Sequence, residues 1–368
     1  FLTVSIFAST PNMASADDGT SKDSKSPLEI DFQPDKDSKK RKGIHKPIPA
    51  KIFTQQVIQG DKPSKVFLLV NPYSGKKKGL NIAKDAKHLL EQSDIEVETH
   101  VSEHSGHLIE ITKSLIVKPE EAIVVVGGDG SLSETISGWM MKSEDNSKIR
   151  FGLVPAGTGN SQANDLGISS TEDAVSRITN GNSQCIDLAR VELTEGLPGE
   201  TKGSITRFSH NLVTWGLGVD STIKAEKMRW MGSIRYDIGI LMAIMANNRR
   251  HASLYLDGHK MEDDYTLFLV QNSQTGGSLL PLAPGASLDD GLMDIGILKK
   301  MTRRGILKAF GLLKKEGRHV FHPRVAYHRF KQLRIETPEP TAINIDGENI
   351  GSTPLTMEVL PSEIKIFH

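Results

Sequence analysis

Apolar and polar positions along this chain fall into two successive textures. From Val66 onward, "VFLLV" (66–70), "AIVVV" (122–126) and "FGLV" (151–154) are unbroken apolar runs, whereas "IEVETHV" (95–101) alternates. Unbroken runs bounded by turn residues predict strands covered on both faces, and the alternating run predicts a half-covered one. Between them apolar residues return at helical spacing: Leu80, Ala83, Ala86 and Leu90, then Leu108, Ile111 and Leu115, then Leu132, Ile136 and Trp139. Strand and helix in alternation predict a parallel sheet with helices on both faces, and in such sheets ligands gather at the carboxyl ends of the strands.

After about Asp187 the texture changes. Short β-rich runs lie at 205–219, 252–257, 265–271, 292–298, 331–336, 342–346 and 363–367, punctuated by Gly, Pro and Asp. They predict a β-sandwich, interrupted by helices near 222–248 and 302–316. Residues 14–63 are rich in Ser, Asp, Lys and Pro and carry the basic cluster "KDSKKRKGIHK" (36–46) without an apolar period. That composition predicts a disordered, solvated arm over 1–63, with contact between the basic cluster and anionic lipid as the weaker alternative. The expected fold class is thus α/β: a three-layer α/β domain over 64–187, then a β-sandwich domain over 188–368.

Composition narrows the partners. Lys+Arg and Asp+Glu each number 45 in 368 residues, so whole-chain charge gives no argument for a nucleic-acid partner. The single cysteine, Cys185, excludes an intrachain disulfide and a cysteine-built zinc site, and favours a reducing compartment, by default the cytoplasm. The longest apolar candidate for a membrane span, "IGILMAIMA" (238–246), is half of the roughly 18 residues a span needs. Membrane contact is therefore expected to be peripheral. The opening "FLTVSIFASTPNMASA" reads as a signal remnant or as untrimmed upstream translation with Met13 as the start, the second being favoured.

The chemistry concentrates in four turns: "NPYSGKKKG" (71–79), "SEHSGH" (102–107), "GGDGS" (127–131) and "PAGTGN" (155–160). Glycines there let backbone N–H groups approach a phosphate, and each following helix adds its positive end. Four such turns at one sheet edge make a polyphosphate cradle. No G-x-x-x-x-G-K-[ST] is present, and the dinucleotide fingerprint lacks its third glycine. Asp129, set among Gly127, Gly128 and Gly130, would repel phosphate, so its presence needs a cause. It would accept a proton from an attacking hydroxyl or help hold Mg²⁺; the plainer alternative is a helix cap, which Ser131 and Ser133 could supply without the electrostatic conflict.

From about Lys65 to the C-terminus the sequence resembles the diacylglycerol kinase catalytic family, which includes sphingosine kinases, ceramide kinases and bacterial diacylglycerol kinases. "NPYSG", "VVVGGDGS" and "VPAGTGN" look like its nucleotide loops, and "NIDGE" (344–348) like its late acidic motif. The resemblance implies a nucleotide in the cleft between an α/β domain and a lipid-binding β-sandwich. It also implies transfer of the γ-phosphate of ATP, with Mg²⁺, to a lipid hydroxyl. By match, Asn71, Pro72, Ser74 and Gly75 contact phosphate, Ser102 lies by the nucleotide, and Gly157 and Thr158 line its other side. Gly127, Gly128, Gly130 and Glu134 complete the nucleotide set. Ser131 stands where the family usually has Thr, or an apolar residue in sphingosine kinases, and is assigned to the acceptor side. Asp129 matches the proposed general base. Asp346, Gly347 and Glu348 match the acidic motif near nucleotide and metal, and Glu348 is itself a candidate base. The motifs leave open which carboxylate takes the proton; the reading adopted from the sequence has Asp129 accept it, and the metal ligands stay unassigned.

The segment "TWGLGVDSTIKAEKMRWMGSIRYDIGILMAI" (214–244) is similar to the sphingosine and ceramide kinase stretch. There Arg229 and Arg235 match phosphate-contacting arginines, and Asp220 and Thr222 fall at acceptor positions. Sphingosine kinases carry a second aspartate, facing the sphingoid amine, where this chain has Thr222; "KKEGRH" (314–319) leans back toward them. "YDIGILMAIMA" reads equally as a core helix and as a wall of the lipid tunnel. The expectation is a lipid kinase acting on a sphingoid base at a membrane surface, with no nucleic-acid partner and an oligomeric state the sequence does not specify. Diacylglycerol or ceramide as acceptor is the nearest alternative. An NAD kinase is disfavoured by "VPAGTGN" and "RWMGSIRYD". A non-catalytic lipid- or nucleotide-binding module is disfavoured by the intact Asp129, Asp346 and Glu348.

Overall fold

The computed structural model describes residue 30 and residues 32–49, 56–142, 149–157, 159–200, 203–231, 234–277 and 279–368. Strands Glu96–Val101, Lys65–Val70, Glu121–Gly127 and Arg150–Pro155 lie side by side in that order, all parallel. The unbroken apolar runs are the central strands: every residue of Glu121–Gly127 is buried, as is Val66–Val70. Helices Gly79–Glu91 and Thr171–Asn180 pack together, as do His107–Ser114 and Asp129–Met140. Their apolar faces and the sheet make one core containing Leu90, Leu108, Ile136 and Ile178.

The second domain is an antiparallel sandwich around a separate core, in which Trp215 stacks on Phe268 with ring centroids 4.6 Å apart. Helices Leu217–Glu226, Ile234–Ala246 and Arg303–Leu313 are laid against it and share a smaller cluster built from Leu217, Ile244, Leu298 and Ile306. The α/β-plus-sandwich class expected from the two textures is the observed architecture.

One strand belongs to both domains. Glu348–Phe367, 20 residues long, pairs antiparallel with Ala342–Ile345, Gln332–Glu336 and Ser183–Glu195. Its far end then lies parallel to Arg150–Pro155, with Ile366 opposite Phe151. Ile364, Ile366 and Phe367 accordingly sit in the core of the first domain, not of the sandwich.

The disordered arm is corrected in part. Phe32–Asp35 and Lys46–Pro49 form a hairpin, and Val57–Ile58 pairs with Ser183 and Gln184. The hairpin docks on the sandwich: Phe32 meets Tyr327 edge-on at 4.9 Å, Ile30 N–H donates to the Tyr327 carbonyl at 3.1 Å, and Arg318 Nη2 donates to the Lys39 carbonyl at 2.9 Å. A few apolar side chains suffice here because the surface that receives them is already folded, a condition that local composition does not reveal. Residues 1–29, 31 and 50–55 of the expected arm lie outside the described residues.

Candidate active site

The carboxyl ends of the parallel strands bring the glycine turns together. Asn71 Nδ2 donates to Ser131 Oγ at 3.0 Å, tying the first loop to the third. Gly128 and Gly157 meet backbone to backbone: a Cβ on Gly157 would lie 2.7 Å from Gly128 Cα. Only glycine allows that approach, so the two loops form one concave surface of main-chain groups. In the first loop Gly75, Lys76 and Lys77 have φ of 56°, 61° and 68°, three successive left-handed residues. A Cβ on Gly75 would lie 2.3 Å from the Ala156 carbonyl oxygen, so this loop too is packed to contact.

Asn71, Ser74, Gly75, Gly128, Asp129, Gly130, Ser131 and Gly157 all line one cavity with Asp346, Gly347, Glu348, Thr222 and Arg235. Pro72, Ser102 and Gly127 support the loops from behind: Ser102 and Gly127 are buried, and Ser102 N–H donates to the Val70 carbonyl at 2.9 Å. Glu134 is a correction. It accepts from Gly106 N–H at 2.9 Å and Leu108 N–H at 3.3 Å, capping helix His107–Ser114, and does not reach the cavity. Helix start and cap are 28 residues apart in sequence, beyond any local capping pattern. Thr158 lies outside the described residues. Arg229 stands in the short turn Arg229–Met231.

Asp129 is the first residue of helix Asp129–Met140 yet caps a different helix. Its two oxygens accept from Ser161 N–H and Gln162 N–H, each at 3.0 Å, at the start of Ser161–Asp165. Each carboxylate oxygen keeps one lone pair. Asp129 thus locks the third loop to the fourth while facing the cavity.

Asp346 is saturated. Oδ2 accepts from Ser133 Oγ (3.0 Å), His210 Nδ1 (3.1 Å) and His210 N–H (3.2 Å). Oδ1 accepts from Ser209 Oγ (3.0 Å), Asn211 N–H (3.2 Å) and Leu212 N–H (2.7 Å). Burial pushes this carboxyl up, but the His210 charge and the donated hydrogen bonds outweigh it and hold it below the ordinary aspartate value. Its lone pairs are spent on the protein, which corrects the expectation of an Asp346–Glu348 pair facing metal and nucleotide together. His210, missed in the sequence, is fully buried; burial pushes its imidazole down, and the charges of Asp346 and then Asp129 more than restore it, so the net shift is upward. Its Nε2 has no hydrogen-bond partner among the described residues. The signal was "SHN" (209–211) between two strands, with nothing in the spacing to join it to Asp346.

Glu348 is the open carboxylate. The cleft walls push its carboxyl up, Glu134 and Asp346 add like-charge repulsion, and Arg207 partly opposes them. It is the cleft carboxylate best suited to hold a proton in transit. No cluster of three His, Cys, Asp or Glu able to hold a metal occurs among the described residues. The remaining lone pairs of Asp129 and Glu348 suit a cation that arrives with nucleotide phosphates, which keeps most of its other ligands from water and phosphate.

From these loops the cavity, about 960 Å³, runs into the second domain between helices Ile234–Ala246 and Arg303–Leu313. There its walls are Leu217, Ile240, Ile244, Leu298, Ile306 and Leu313. The apolar helix is therefore both core and wall. Asp220, expected at the acceptor, is drawn off instead: it pairs with Arg250 at 2.8 Å, accepts from Asn248 at 3.2 Å, and does not line the cavity. Thr222 does line it, bonded through Oγ1 to Asn349 Oδ1 at 3.0 Å.

Glycine loops shaped for phosphate at one end of a cavity and a long apolar bore at the other define a phosphotransferase with an apolar acceptor. Residues 65–191 match the diacylglycerol kinase catalytic domain, and residues 211–368 match the YegS C-terminal NAD kinase beta sandwich-like domain. The chain belongs to the diacylglycerol kinase catalytic-domain family of lipid kinases, and is an enzyme using ATP. It is 27% identical to sphingosine kinase 1 of Arabidopsis thaliana over 351 residues, 80% of this chain and 70% of that one. It is 28% identical to a Mycobacterium tuberculosis diacylglycerol kinase over 310 residues, 82% of this chain and 94% of that one. The fold is also that of a proposed diacylglycerol kinase from Bacillus anthracis str. Sterne, with TM-score 0.66 and 23% identity over 83% of this chain and 96% of that one.

Proposed function

We propose that this kinase transfers the γ-phosphate of Mg·ATP to a hydroxyl of a long-chain lipid whose tail fills the apolar bore, at the surface of a membrane facing the cytoplasm. The observation that carries the reading is the continuity of one cavity from the Gly128–Gly157 cradle to the Ile240–Leu313 walls. Glu348 takes the acceptor proton, being open and raised in basicity, while Asp129 holds loops three and four in register and shares the incoming cation. Arg235 and the loop amides spread the charge of the transferring group. Mg²⁺, which Asp129 would help hold, would draw negative charge off the transferring group. The test is transfer of labelled phosphate from ATP to a panel of sphingosine, phytosphingosine, ceramide and diacylglycerol, with Glu348→Gln and Asp129→Asn beside the wild type. Absence of label on every lipid would discard the reading.

A sphingoid base as acceptor is supported by the 214–235 segment and by the names of the two Arabidopsis relatives. A second reading, an acylated acceptor such as ceramide or diacylglycerol, is favoured by a specific observation. Gly347 N–H donates to Asn344 Oδ1 at 3.1 Å, which makes Asn344 Nδ2 the donor to Asn349 Oδ1 at 2.9 Å. That order leaves Asn349 Nδ2 as a buried donor without a partner among the described residues, beside the cavity. A free N–H meets an acyl carbonyl well and a cationic amine badly, and Asp220 is already neutralised by Arg250. The same panel separates the two readings.

A further inference from the structure

Helix Arg303–Leu313 buries Ile306, Ala309, Leu312 and Leu313 and turns Arg303, Arg304, Leu307 and Lys308 to solvent. From Lys299 to Lys315 there are seven Lys or Arg and no acidic residue. The docked hairpin extends this surface. Lys36, Lys39, Lys40, Arg41, Lys42 and Lys46 are exposed on it, against Asp35 and Asp37. Its tip reaches the helix: Lys42 Nζ lies 3.4 Å from where a Cβ on Gly311 would stand. Gly311 and Leu307 are one helical turn apart on the same stripe, so the basic tip and the exposed leucine adjoin. Lys300 and Lys314 are paired with Asp264 and Asp237, and the other five, with the six of the hairpin, still make a surface mostly of one sign in a chain whose charges sum to zero. The neighbouring helix Ile234–Ala246 runs antiparallel, held by Arg303 Nε to the Met245 carbonyl at 2.6 Å and by Lys314 to Asp237 at 3.1 Å. It exposes Leu241, Met242 and Met245, and its inner residues Ile240 and Ile244 wall the cavity.

We infer that the hairpin Phe32–Pro49 and the helix Arg303–Leu313 together form a docking face for an anionic bilayer. The lysines and arginines meet acidic headgroups, while Leu307, Leu241, Met242 and Met245 enter the interfacial layer. The inference rests on the lipid-kinase reading for its purpose: the two helices that dock are the two that wall the cavity, so an acceptor need not cross water to enter. Exposed apolar side chains on the same pair of helices and a substrate class that resides in bilayers favour a membrane over an acidic protein or nucleic acid.

The experiment is flotation of the full chain with vesicles of phosphatidylcholine alone or mixed with phosphatidylserine, at low and high salt. Two variants accompany it, Lys39→Gln/Lys40→Gln/Arg41→Gln/Lys42→Gln in the hairpin and Arg304→Gln/Lys308→Gln on the helix. The wild type should bind only the phosphatidylserine vesicles and release as salt rises. Each variant should bind them roughly tenfold or more weakly. Kinase activity on acceptor dispersed in uncharged detergent micelles should be unchanged in both. Equal binding to both vesicle types, or wild-type binding by the helix variant, overturns the inference. Loss of micelle activity in the wild type with vesicle binding intact would instead strike the kinase reading and leave the docking face standing.

Discussion

Ser133 Oγ donates to Asp346 Oδ2 at 3.0 Å, joining a helix of the first domain to a turn of the second. Asp346 holds the same grip on Ser209, His210, Asn211 and Leu212, so a single carboxylate fixes the floor of the cleft. The two walls of the site are thereby held in register by a residue whose lone pairs are spent on the protein.

The Asp346–His210 pair makes stability depend on pH from both sides. Asp346 is held below its ordinary value, so its contribution is present above about pH 3.8 and is lost as pH falls through its lowered pKa. His210 is raised, so its contribution is complete below pH 6.5 and is lost as pH rises past its folded pKa. The denaturant midpoint should fall as pH is raised from neutrality, and His210→Gln should flatten that limb at the cost of lower stability throughout. Asp346→Ala should cost about 3–5 kcal/mol by leaving buried donors and a buried imidazolium unpaired. An alkaline limb unchanged in His210→Gln would assign it to another group.

Glu348→Gln should lower kcat/KM by roughly 10²- to 10⁴-fold, the range of a lost general base. Its carboxyl is raised first by the enclosing cleft and then by Glu134, with Arg207 opposing. Glu134→Gln should therefore move the acid limb of kcat/KM to lower pH, and Arg207→Gln should move it higher. Glutamine at position 134 still offers one acceptor to helix His107–Ser114, so the scaffold survives. Limbs that stay in place in both variants would mean that Glu348 is not the titrating group.

Gly157→Ala tests the cradle. The added carbon would stand 2.7 Å from Gly128 Cα and 2.6 Å from Asn160 Oδ1, and the glycine backbone has no rotamer with which to yield. Loops three and four must part, and KM for ATP should rise roughly tenfold or more while circular dichroism is retained. An unchanged KM would separate this contact from nucleotide binding.

Asn349→Asp replaces a free N–H by an anion at the same place. If the acceptor is acylated, kcat/KM for ceramide or diacylglycerol should drop by roughly 10- to 100-fold and that for sphingosine should rise. Asp220→Asn should leave acceptor preference alone, because Asp220 already serves Arg250. A changed preference in Asp220→Asn would return that residue to the acceptor site.

The parallel sheet was legible because its central strands are covered on both faces and so read as unbroken apolar runs, and the glycine turns because no other residue allows the Gly128–Gly157 approach. What escaped the sequence were partnerships over distance. Asp346 and His210 are 136 residues apart, and Glu134 serves a helix that precedes it. Asp220 looked like an acceptor contact because its partner Arg250 lies beyond the motif that contains it. The hairpin was invisible for a related reason: Phe32 has almost no apolar neighbours in its own segment and finds Tyr327 in a strand nearly three hundred residues on.

The shared strand Glu348–Phe367 sets an order of assembly during synthesis. The first domain emerges from the ribosome early, yet the strand that flanks Arg150–Pro155 and supplies Ile364, Ile366 and Phe367 to its core is made after the whole sandwich. Until then that half waits with an open sheet edge, a site where nascent chains pair wrongly. Chaperone dependence should concentrate in this interval, and truncation just before Ile364 should damage the nucleotide half first.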